Sequence, residues 1–88
     1  MNTANTDRIK KMHAKLTEAL SPTELTIQDD SHLHVGHAGA KSGKGHFTVH
    51  IKSEALHGLP KLQQHRRVYE ALGNMMVQDI HALVIKVP

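Results

Sequence analysis

The sequence predicts one small α/β domain of the α+β kind, in the order α-β-β-α-α-β. Its sheet has three strands of mixed direction, with the helices on one face. Three observations predict this. Apolar residues near the start recur at helical spacing, residues 46–52 alternate strictly, and a β-branched run lies at 80–87. At 88 residues the chain supports one core.

Residues 1–5 are polar and are expected to form a loose end before a single domain over 6–88. Thr6 suits an N-cap, with Asp7 in the first turn, where a helix favours negative charge. Ile9, Met12, Leu16 and Leu20 then mark a helix over 7–20. Ser21-Pro22 ends it, because the residue before a proline avoids helical geometry. Leu25 and Ile27 alternate with Thr26 and Gln28 as a first strand.

The stretch 31–45 has no sustained period and holds four of the six glycines, so it reads as a long loop or a loose hairpin tip. In the next strand, Phe47, Val49 and Ile51 face the core, and Thr48, His50 and Lys52 face outward. A short helical turn follows around Ala55 and Leu56, stopped by Gly58. A longer helix spans 60–76, opened by Pro60 and tolerating Gly73. Leu62, Val68, Tyr69, Leu72, Met75 and Met76 form its apolar stripe. The run 80–87 is the last strand, and the helical crossover makes it parallel to the second.

Composition narrows the function. There are no cysteines, which excludes disulfides, thiolate nucleophiles and all-cysteine metal sites. No apolar run approaches the ~20 residues of a membrane span, and no apolar block follows Met1 as in a secretory signal. A soluble, cytoplasmic protein is therefore expected. The net charge of +3 weakly favours an anionic partner. Nine histidines stand out, since imidazole titrates near neutrality and is the commonest metal ligand.

Several motifs fail. Gly36-His37-Ala38-Gly39 matches the G-x-x-G of nucleic-acid clamps, but it lies between strands rather than helices. Residues 39–44 miss the phosphate-loop spacing, and no helix follows. No nucleophile-elbow spacing occurs, and so small a sheet leaves little room for a deep pocket. Enzymatic activity is not expected.

His32, His34 and His37 lie within six residues, and His46 opens the next strand. They read either as a solvated polar loop or as ligands, with His32 and His34 on one side of an extended segment. His81 opens the last strand on the same side as Leu83, Ile85 and Val87. It reads either as a half-buried histidine bonded to backbone or as half of a two-histidine site with a loop imidazole. Two imidazoles leave a metal coordinatively incomplete. Lys61 and the cluster His65-Arg66-Arg67 read as a solvated basic face or as a surface for phosphates or an acidic partner.

Taken in order, residues 31–39 (SHLHVGHAG), 45–49 (GHFTV), Ser53-Glu54 with Gly58-Leu59, 65–69 (HRRVY) with Ala71-Leu72, and 80–83 (IHAL) resemble the BolA family. The resemblance covers nearly the whole chain and implies a class II KH-like fold. It also implies partnership with a monothiol glutaredoxin through a bridging [2Fe-2S] cluster. There the glutaredoxin and glutathione would supply thiolates, and this chain would supply histidines. His81 matches the family's C-terminal ligand. His34 is the closest match for the loop ligand, with His37 second. The chain without a cluster is expected to be a monomer. Some bacterial relatives are described as transcriptional regulators, which implies DNA contact through Arg66 and Arg67, with His65 and Lys61 beside them.

Overall fold

Helical periodicity carries the first helix, α1 (Thr3–Leu20), and its stripe of Met12, Leu16 and Leu20 is buried. The computed structural model describes residues 3–31 and 43–88. α1 starts four residues before Asp7, so Thr6 lies inside the helix and is not its N-cap. The reason is tertiary. Asn5 is 2% exposed and its side chain is bonded to the end of the first strand, which holds the extra turn in place. At the other end Ser21 takes φ 44°, donates its N–H to Thr17 O at 3.0 Å, and turns the chain into Pro22.

Three strands follow the expected order: β1 (Glu24–Asp29), β2 (Gly45–Lys52) and β3 (Ile80–Lys86). β2 is central, antiparallel to β1 and parallel to β3, as the helical crossover requires. Phe47 registers with Leu83 and Val49 with Ile85, which puts these four on the core face. Thr48 departs from the expected alternation. It is buried rather than outward, and its hydroxyl donates to Asp30 Oδ2.

The helical region between β2 and β3 divides differently from expectation. Residues 53–58 form successive i→i+3 turns rather than a helix, with Ser53 Oγ accepting from Ala55 N at 3.1 Å. The long helix is split into α2 (Lys61–Leu72) and α3 (Met75–Gln78). Gly73 causes the break, because its φ of 55° lies in the left-handed region that glycine enters at no steric cost. Val68, Leu72 and Met75 are buried as expected. Leu62 and Tyr69 are exposed, because the stripe facing the sheet runs through Val68 and Leu72.

One core joins all the elements. Met12, Leu16, Phe47, Val49, Ile51, Leu56, Val68 and Leu72 are its most enclosed members. Each such side chain contributes roughly 1.5–3 kcal/mol when removed from water. No described helix is long and apolar enough to cross a membrane.

Candidate functional site

The parallel pairing of β2 and β3 slips by one residue where both strands begin. Gly45 registers with Ile80, yet His46 registers with Ala82, so His81 is the extra residue. A bulge of this kind re-aims a side chain. His81 shares the parity of Leu83 and Ile85, but it is exposed while Ile85 is buried. Its ring lies 5.0 Å from the ring of His46, centroid to centroid, at an interplanar angle of 55°. His46 is buried, at 4% exposure.

A polar network braces this end of the sheet from beneath. Asn5 Nδ2 donates to Asp29 Oδ2 at 3.2 Å and to Ser31 Oγ at 2.9 Å. Ser31 Oγ also accepts from the backbone N–H of His46 at 3.1 Å, and Ser31 N donates to Asp29 Oδ1 at 2.9 Å. Arg8 bridges outward, donating to Asn5 Oδ1 at 2.8 Å and to Asp79 Oδ1 at 3.2 Å. Gly45 N donates to Asp79 O at 2.9 Å, and Asp30 N donates to His46 O at 2.7 Å. The last residue before the histidine-rich segment and the first residues after it are therefore fixed beside His46 and His81.

Gly45 lets these parts meet. A Cβ there would stand 2.3 Å from the Phe47 ring and 2.8 Å from Asn5 Oδ1, inside any van der Waals distance. Only glycine fits between the core ring and the network.

His32, His34 and His37 lie outside the described residues. The described contact of His81 is with His46, which the sequence marks only as a neighbour of the loop cluster. The signal that could have found it is the outward parity of His46 beside Phe47. The bulge that brings it to His81 has no sequence signature.

Among the described residues, no group of three or more histidines or carboxylates could hold a metal ion. With no cysteine in the chain, and with the Asp29 and Asp79 carboxylates engaged by Asn5, Ser31 and Arg8, the exposed ligand at this end is the His81 imidazole, which suits part of a site completed by other ligands.

The basic cluster is divided by the helix. Arg66 and Arg67 are exposed on α2. Lys61 and His65, one turn apart, line a groove with His50 and Lys86 instead.

Comparison with known proteins places this geometry in a family. The chain is 39% identical over 82 residues to the chloroplastic protein BOLA1 of Arabidopsis thaliana, covering 90% of this chain and 51% of that protein. The solved structure of Arabidopsis BolA1 superposes with a TM-score of 0.72, covering 90% of this chain and 89% of that one. The BolA domain of SufE1 from the same plant superposes with a TM-score of 0.73 at 30% identity, covering 92% of each chain. A Haemophilus influenzae relative, called a DNA-binding transcriptional regulator, is 34% identical over 71 residues, covering 81% of this chain and 66% of that protein. The chain spans about half the length of the Arabidopsis and mouse curated relatives, at 51% and 53%. The family profile described as BolA-like protein matches residues 16–88, a span that contains the whole sheet, the bulge at His81 and His46 beside it, and the chain belongs to that family.

Proposed function

We propose that this chain is a non-enzymatic adaptor that partners a monothiol glutaredoxin and shares a bridging [2Fe-2S] cluster, in iron-sulfur trafficking or iron sensing. The observation that carries this reading is the exposed His81 ring, set out by a bulge 5.0 Å from His46. It is an accessible imidazole on a braced frame, at the end of the sheet where the histidine-rich segment enters and leaves.

His81 would supply one ligand, and a histidine of the preceding segment the second, His34 first and His37 after it. Thiolates would come from the glutaredoxin and glutathione. The bound cluster would supply electron storage and transferable iron and sulfide, with imidazole ligation raising its potential relative to thiolate. The chain's own residues hold the ligand side: the Asn5–Ser31–Asp29 network fixes the strand ends, and Gly45 allows the close approach.

The test is to mix the protein with cluster-loaded monothiol glutaredoxin and record the visible spectrum. New charge-transfer bands that His81→Ala alters support the reading. A spectrum equal to that of glutaredoxin alone overturns it.

A second reading is DNA-binding regulation. The Haemophilus relative's name favours it, together with two adjacent exposed arginines on α2. A charge of only +3 makes any such binding weak and salt-sensitive. A salt titration of duplex binding with the arginines intact and replaced tests it.

A further inference from the structure

The face that α2 turns toward the sheet changes character along its length. Lys61, Gln64, His65, Val68 and Leu72 follow one another at helical spacing on a single stripe. Val68 and Leu72 are fully buried, Gln64 and His65 are half-buried, and Lys61 is exposed. A helix that only packed on the sheet would continue the stripe with apolar residues. Here its first turn and a half is polar, and it overhangs the edge strand β3.

Two further nitrogen-bearing side chains meet this overhang. His50 of β2 and Lys86 of β3 are register partners in the parallel pair. With Lys61, Gln64 and His65 they line an open groove enclosing about 540 Å³. That volume falls within the range of ~300–1,000 Å³ typical of small-ligand sites. Val87 and Pro88 complete the lining, and the terminal carboxylate of Pro88 is the one acidic group there, since no Asp or Glu side chain lines it. The Lys61 and Lys86 ammonium groups make no ion pair among the described residues, where the ion pair found is Arg8–Asp79, at the opposite end of β3 from Lys86. Gln64 is committed, its amide donating to Leu56 O at 3.0 Å.

The first turn of α2 adds to the same field. It contains no acidic residue, and no side chain caps it. Its unopposed N–H groups give the positive end of a helix dipole. Two ammonium groups, two imidazoles and a helix N-terminus thus line one concave surface, outnumbering the single carboxylate that Pro88 brings to it.

We propose that this groove binds a phosphate group, free or carried on a small organic body of nucleotide size. Lys61 and Lys86 would supply point charges to the phosphate oxygens. His50 and His65 would donate ring N–H groups, and the Ile85 side would meet an organic body. The site stands apart from His81, which lies about 16 Å away along the strand at ~3.3 Å per residue. It therefore does not depend on the cluster reading.

The experiment is a two-dimensional NMR titration of the intact protein, following the His50 and His65 ring signals. The probes are inorganic phosphate, adenosine 5′-monophosphate, adenosine, and a short random duplex. The expected result is saturable shifts at both rings with phosphate or the monophosphate, at a Kd of about 1 mM or tighter, and none with adenosine. Equal affinity for the two phosphate probes assigns recognition to the phosphate alone, and tighter monophosphate binding assigns it to a nucleotide. Lys61→Gln with Lys86→Gln should weaken binding by roughly ten-fold or more. Lys10→Ala with Lys11→Ala, exposed on α1 and outside the groove, should change it less than about two-fold, since sites that share no partners act independently. Shifts with adenosine equal to those with the monophosphate would overturn the proposal. So would shifts caused by the duplex alone, or binding unchanged by loss of Lys61 and Lys86.

Discussion

Arg8 on the first helix donates its Nε–H to Asp79, the residue just before the last strand, at 3.2 Å. The two are separated by most of the chain, and both side chains are partly sheltered, at 15% and 25% exposure. Arg8 also holds Asn5, whose partner Ser31 accepts from His46 N, so the guanidinium ties the start of α1 to the residue leading into β3 and, through Asn5 and Ser31, to β2. Asn5→Ala should therefore destabilise the protein by about 1–3 kcal/mol, the cost of leaving buried partners unsatisfied. Urea unfolding would measure it. Lys10→Ala, at an exposed position of the same helix, should cost less than about 0.5 kcal/mol.

Gly45→Ala should destabilise by about 1–3 kcal/mol, because the added methyl overlaps the buried Phe47 ring and Asn5. Combining it with Phe47→Leu should cost less than the sum of the two single changes, which a double-mutant cycle would read.

Ser21→Gly should stabilise the protein by a few tenths to about 1 kcal/mol. Ser21 occupies φ 44°, where a Cβ costs about 1–2 kcal/mol and glycine's greater unfolded-state entropy offsets part of the gain. An increase in the urea midpoint with an unchanged slope would confirm it.

His81→Ala should leave the apo protein within about 0.5 kcal/mol of the parent, because the ring is exposed. The same change should alter the charge-transfer bands of the glutaredoxin mixture. His46 is buried, so truncating it to Ala should cost stability before any spectrum is read, and the two histidines separate by this contrast.

If duplex DNA is a partner, Arg66→Ala with Arg67→Ala should reduce the slope of log affinity against log salt by about 2, one for each lost phosphate contact. A parent protein with no measurable salt dependence would exclude contact through those arginines.

Much of the fold is legible in the sequence because its period is carried by well-separated apolar residues. Leu16, Leu20, Phe47, Val49, Leu72 and Ile85 are predicted inside and are buried. What escaped depends on partners distant in the chain. Nothing near Asn5 announces that Asp29 and Ser31 will hold it. Gly73 is compatible with a continuous helix or a break, and its φ of 55° makes the break. At the site, His81 is legible as a residue of interest. Its outward aim follows from a one-residue slip in strand pairing, which composition does not encode. The groove was legible only in part: Lys61 and His65 stand out as basic, whereas His50 and Lys86 join them through sheet register.

The sheet order has a consequence for how the molecule assembles. β1 and β2 neighbour each other along the chain, whereas β2 and β3 meet only after the 53–79 crossover has closed. That closure is entropically costly before its contacts reward it, so the parallel pair forms late. Its firmly registered stretch is Phe47–His50 against Leu83–Lys86, and the slip at Gly45 and His46 lies at its far end. Backbone amides around His81 should then exchange with solvent through small local openings, while those of Val49 and Ile85 exchange only on global unfolding. The imidazole is thus carried by the strand pair that forms last, and the contacts of Asn5 and Arg8 are what hold that end once it has formed.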